Sequence, residues 1–73
     1  MRVEKVKAIW LDVFLRGSGD KYPELAEQLR ELCLKKDSEF FDDSKMDDFV
    51  EDEEILEVWG KIGMALWKDI FKH

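Results

Sequence analysis

The chain is poor in the residues that staple small proteins and in those that catalyse. Its 73 residues contain one cysteine, Cys33, and one histidine, His73. A single cysteine excludes an internal disulfide, and one Cys with one His cannot complete a four-ligand zinc site. No uninterrupted apolar run approaches the roughly 18 residues that a membrane helix requires. The stretch "MRVEKVKAIWLDVFL" scatters charges where a secretory leader would be apolar. These absences predict a cytoplasmic protein with a reduced thiol and no membrane partner. No repeat, low-complexity stretch or linker divides the chain, so residues 1–73 read as a single small helical domain.

Clustered Lys and Arg are also missing. Eighteen acids against twelve bases give a net charge of −6, which disfavours direct binding to nucleic acid. The charge is unevenly spread. Residues 37–57 hold eleven acids against Lys45 alone, a local −10, so the remainder is +4. Phosphate-binding loops are absent as well, because "RGSGD" lacks the glycine spacing and lysine of a P-loop and reads as a turn.

Apolar residues are plentiful, at 45% of the chain, and three of them are Trp: Trp10, Trp59 and Trp67. A domain of this size buries only about 60% of its unfolded surface, so its core alone is marginal. With disulfides and structural metal excluded, a partner chain is the remaining supplement, and a homo-oligomer is expected. Tryptophan suits such an interface because it covers much area with few torsions to freeze. One monomer core holding all three is the competing reading.

Periodicity predicts an all-α bundle of three to four helices, at about 3–16, 21–36, 44–50 and 52–72, completed by oligomerisation. In the first, Val3, Val6, Ile9, Trp10, Val13 and Phe14 share an arc of about 140° at 100° per residue. The alternative is a strand over "AIWLDVFL", which is rich in β-branched and aromatic residues. Asp20 stands where it can cap the second helix, Pro23 suits its first turn, and Tyr22, Leu25, Ala26, Leu29, Leu32 and Cys33 form its apolar arc. From Ile55 to Phe71 the residues Ile55, Leu56, Val58, Trp59, Ile62, Leu66, Trp67 and Ile70 form a broad apolar arc. Continuing that helix backwards would put Asp48 and Asp52 on the buried face, at a high desolvation cost, so a break is expected between about Val50 and Asp52.

The run "DDSKMDDFVEDEE" (residues 42–54) packs eight carboxylates into thirteen positions. Part of this acidity matches two helix starts. Ser44 with Asp47 fits a capping pattern, and Asp52, Glu53 and Glu54 sit where the last helix begins, near its positive dipole end. The surplus makes Asp42, Asp43, Asp47, Asp48 and Glu51 the candidate partner-binding acids. A calcium loop is disfavoured, because Met46 and Asp47 replace an oxygen ligand and the required glycine. The segment "DDSKMDD" resembles the attachment segment of acyl carrier proteins in its acids and in Ser44, but Lys45 follows where that family carries leucine. No prosthetic group or other cofactor is therefore assigned.

Catalytic residues are not expected. His73 stands at the end of the chain, Cys33 lies on a core arc, and the carboxylates have no apolar pocket to raise a pKa. Gly60 and Gly63 interrupt a strongly apolar helix at a cost of about 1 kcal/mol each relative to Ala, so some compensation is expected; Gly63, within the apolar arc, would let another helix approach closely, from the same chain or from a second copy. Trp10, Trp59, Gly63 and Trp67 are accordingly the candidate oligomer contacts, with Leu11, Leu15 and Leu34 as off-arc additions. The sequence thus predicts a non-enzymatic, self-associating interaction or regulatory protein whose acidic surface at 37–57 meets a cationic partner. Two alternatives stand beside it. One is inhibition of a DNA- or RNA-binding protein by charge mimicry, with Phe40, Phe41 and Phe49 as apolar anchors. The other is an enzyme whose site, including His73, forms only in an oligomer.

Overall fold

In a computed structural model, residues 4–72 of the protein are described. In chain order the elements are β1 (Val6–Lys7), α1 (Ala8–Gly17), α2 (Pro23–Lys36), a 3₁₀ turn (Asp43–Lys45), β2 (Phe49–Val50) and α3 (Glu53–Phe71). The fold is a small helical bundle, 67% helical, with one two-stranded ribbon. In the ribbon β1 and β2 run antiparallel, with Val6 opposite Val50 and Lys7 opposite Phe49.

The first helix starts at Ala8 and not near residue 3. Val3 lies outside the described residues, as does His73. The strand and helix readings of this region are each right over part of it, since two residues pair as β1 and "AIWLDVFL" is helical. The switch has a local cause. No side chain caps α1; its first backbone donors are taken by distant carbonyls, Ala8 N–H by Asp48 O at 3.1 Å and Ile9 N–H by Met46 O at 3.0 Å. Free N–H groups at a helix start must find acceptors, and these come from the loop ahead of β2.

The same bonds explain why no α-helix forms over residues 44–50. There the chain makes a 3₁₀ turn and then extends into β2, because the Met46 and Asp48 carbonyls bond to α1 instead of to residues further along their own segment. The expected break does occur, with β2 ending at Val50 and α3 starting at Glu53.

Docking of α1 also fixes its rotation, and differently from the wheel. Ala8, Leu11, Phe14 and Leu15 are buried, while Ile9, Trp10 and Val13 are 38%, 50% and 61% exposed. Leu11 and Leu15 are therefore core residues and not part of a second surface; Leu34 is exposed. α1 is apolar around most of its girth, so periodicity alone could not select the inward face.

α2 and α3 provide the main helix-to-helix packing. Leu29, Cys33, Ile55 and Ile62 are sealed in one core with Val6, Leu11 and Phe40. Each large aliphatic side chain so buried contributes about 1.5–3 kcal/mol relative to exposure. Trp59 packs edge-to-face on Phe14, with ring centroids 5.8 Å apart, and Phe14 stacks on Tyr22 at 6.4 Å. The Tyr22 hydroxyl donates to Asp69 at 3.1 Å, joining the start of α2 to the end of α3. α2 itself starts behind Tyr22 without a side-chain cap, so Asp20 does not take the capping role. In the α1–α2 turn a Cβ on Gly19 would stand 2.6 Å from the Leu15 carbonyl oxygen, an approach only glycine permits. Among the described residues no helix is long and apolar enough to cross a membrane.

Candidate interaction site

The eleven acids of residues 37–57 fall into two sets, four engaged locally and seven, Glu39, Glu53 and Glu57 among them, whose side chains make no hydrogen bond or ion pair among the described residues. Asp37 accepts from the Lys45 ammonium at 2.5 Å and from Glu39 N–H at 3.0 Å, and both bonds hold its carboxyl below the usual range. Asp42 accepts from the backbone N–H and the hydroxyl of Ser44, at 2.9 and 2.8 Å, which lowers its pKa as well. Asp42, and not Ser44, is thus the cap of the 3₁₀ turn, and the Ser44–Asp47 box does not form. Asp52 caps α3, accepting from Ile55 N–H at 3.2 Å and Glu54 N–H at 3.0 Å. Its pKa is lowered by the Ile55 bond first, then by the nearby charge of Lys36. Lys36 itself bridges to Glu54 at 3.0 Å and Asp52 at 3.4 Å, tying the end of α2 to the start of α3.

The second set is unengaged. Among the described residues, Asp43, Asp47, Asp48 and Glu51 make no side-chain hydrogen bond or ion pair, and all four are exposed. Of the five candidate partner-binding acids, only Asp42 is committed to a local turn.

Asp48 and Glu51 border a cleft of about 260 Å³ between the end of α2, the start of α3 and β2. Its lining combines apolar Ala8, Phe40, Val50 and Ile55 with these acids and with the Lys36–Asp52 and Lys45–Asp37 pairs. Phe49, also on the lining, is half exposed, and the ammonium groups of Lys5 and Lys7 lie 4.6 and 5.4 Å from its ring centroid. Phe40 is buried and meets Phe41 edge-to-face at 5.0 Å, so of the three phenylalanines interleaved with the acids only Phe49 is well exposed.

The candidate oligomer contacts also separate. Trp59 is partly buried against the core, whereas Trp10 and Trp67 are 50% and 59% exposed. A Cβ built on Gly60 or Gly63 meets nothing within 4 Å, so close packing within the chain does not account for these glycines. Trp67 and Ile70, expected on the covered arc of α3, are exposed together with Met64 and Phe71. The bundle has too few elements to cover a helix that is apolar on so broad an arc. The wheel shows that breadth and cannot show which part of the arc lacks a neighbour.

Cys33 is fully buried, and burial, followed by the Asp52 charge, pushes its thiol up to about 12. A thiol so held is protonated near neutral pH and is not a nucleophile. No group of three His, Cys, Asp or Glu able to hold a metal ion occurs among the described residues. Compared with known proteins, the chain matches no family model, no curated protein and no solved structure.

Proposed function

We propose that the protein is a small, non-enzymatic interaction or regulatory protein that self-associates and offers its acidic surface at 37–57 to a cationic partner. The observation that carries this reading is the set of four exposed, unengaged carboxylates, Asp43, Asp47, Asp48 and Glu51, two of them on the border of an apolar-floored cleft. Capping and ion pairing account for Asp37, Asp42, Asp52 and Glu54, and Glu53 lies in the first turn of α3; Asp43, Asp47, Asp48 and Glu51 are among the acids that remain without a structural task. Lys and Arg side chains fit such a surface, because their aliphatic stems cover apolar area while the charged heads reach carboxylates. The non-enzymatic part is supported by the buried, protonated state of the one thiol.

The test combines Asp43→Asn, Asp47→Asn, Asp48→Asn and Glu51→Gln. Binding of fluorescent Arg- and Lys-rich peptides, and capture of partners from the native host, is compared with that of the parent protein. The expected result is loss of binding with an unchanged helical circular dichroism spectrum, and parent binding that weakens steeply with salt. Unchanged binding overturns the reading. Displacement of a captured partner by duplex DNA would narrow that partner to a nucleic-acid-binding protein and the mechanism to charge mimicry.

A further inference from the structure

We infer that α3 is the two-fold interface of an antiparallel homodimer, formed by an uncovered stripe of Gly60, Gly63, Met64, Trp67, Ile70 and Phe71. This rests on the self-association half of the proposed function and gives it a surface and an orientation. On the helix these six positions span an arc of about 120°, counting 100° per residue. Met64, Trp67, Ile70 and Phe71 are 60%, 59%, 68% and 67% exposed, and both glycines face open space.

Surface area identifies a second copy as a fitting occupant. The chain exposes 5620 Å² at a mass of 8.7 kDa. A folded monomer of that mass exposes about 4,700 Å². The surplus of several hundred Å² is of the order of the roughly 800 Å² that each partner contributes to a standard interface.

Steric and charge patterns then select the direction. The stripe is small at its N-terminal end and bulky at its C-terminal end. Parallel pairing would set Phe71 against Phe71 and leave glycine facing glycine. Antiparallel pairing places Phe71 over the second copy's Gly60, and Trp67 beside the second copy's Met64 and Gly63. The Trp67 and Phe71 rings already stack edge-to-face within one chain, at 4.6 Å, which lowers the cost of ordering them on association. Charge agrees, because α3 begins with Glu53, Glu54 and Glu57 and ends with Lys68 and Lys72. In this antiparallel register Glu57 comes within about one helical turn of the second copy's Lys72, while Glu53 and Glu54 extend past the partner helix, and the macrodipoles are opposed.

Sedimentation at tens of micromolar, with Trp67→Glu and Phe71→Glu combined as the disrupting variant, tests the interface. The parent is expected at twice the chain mass and the variant at the chain mass, with helical content preserved because both side chains are exposed. Direction is read from a nitroxide attached through Glu53→Cys, where buried Cys33 does not compete for label. Antiparallel pairing about the centre of the stripe separates the two labelled backbones by about 37 Å along the helices; parallel pairing brings them within about 10 Å. A short distance overturns the antiparallel assignment. A dimer that survives the double variant but is lost with Trp10→Glu and Val13→Glu overturns this interface while leaving self-association standing. A parent that stays monomeric at hundreds of micromolar overturns both.

Discussion

The backbone N–H of Ile9 donates to the carbonyl oxygen of Met46 across 3.0 Å, and this bond joins the start of α1 to a loop 37 positions further along the chain. Together with the Ala8 to Asp48 bond it replaces the side-chain cap that α1 lacks. Proline at the first position of a helix is ordinarily well tolerated. Here Ala8→Pro removes a used donor, and a loss of about 1 kcal/mol is expected in urea unfolding, where an uncoupled α1 would show no loss. Hydrogen exchange gives the same test without mutation, with the Ala8 and Ile9 amides protected although they lie in a first helical turn.

Asp52 is the acid whose removal should cost the most among the capping residues. It caps α3 and faces Lys36, so Asp52→Ala is expected to destabilise by about 1 kcal/mol through the cap. Glu53→Gln, on an exposed side chain that makes no such bond among the described residues, should change little. The two variants are compared by their urea midpoints.

Acid sensitivity follows from the same groups. Asp37, Asp42 and Asp52 all have folded-state pKa values below the ordinary 3.8. Their stabilisation is complete well above that value and is lost as pH falls through it toward the lowered folded values. Thermal midpoints are therefore expected to be flat from about pH 7 to 5 and to drop below about pH 4. Asp52→Asn should make the drop shallower, and an unchanged slope would remove Asp52 from the account.

Cys33 should report global unfolding. With its thiol buried and pushed up to about 12, reaction with a disulfide reagent at pH 8 is expected to be far slower than for a free thiol and to accelerate with urea in step with loss of helix. Fast labelling of the folded protein would contradict the placement of Cys33 in the core.

Core and surface positions on α3 and α1 should differ sharply. Ile62 is fully buried, and Ile62→Ala is expected to cost about 2–5 kcal/mol, a large part of the total for a domain of this size. Val13, 61% exposed and also β-branched, should tolerate alanine within about 0.5 kcal/mol. Denaturant titrations of the two variants provide the measurement.

Much of this architecture is written in local chemistry. The apolar arc of α2, Pro23 in its first turn, the start of α3 behind Asp52 and the break after Val50 all follow from periodicity, capping and the cost of burying Asp48 or Asp52. Those are interactions between residues a few positions apart, which a linear sequence displays. The surplus of acid over capping need was equally visible, whereas which side chains are engaged was not: Asp42 caps a turn, and Asp43, Asp47, Asp48 and Glu51 are among the carboxylates that make no bond in the described residues.

What tertiary structure alone decided concerns partners distant in the chain. The loop carbonyls of Met46 and Asp48 bond to α1, which turns residues 44–50 from an expected helix into a 3₁₀ turn and a strand. That docking rotates α1 so that Leu11 and Leu15 enter the core and Trp10 turns outward. On α3 the sequence specifies a helix with more apolar surface than one neighbour can cover; only the placement of α2 and α1 against it leaves Gly60, Gly63, Met64, Trp67, Ile70 and Phe71 as the uncovered part. Periodicity records how much of a helix is apolar, whereas which side meets a neighbour depends on where the rest of the chain lies.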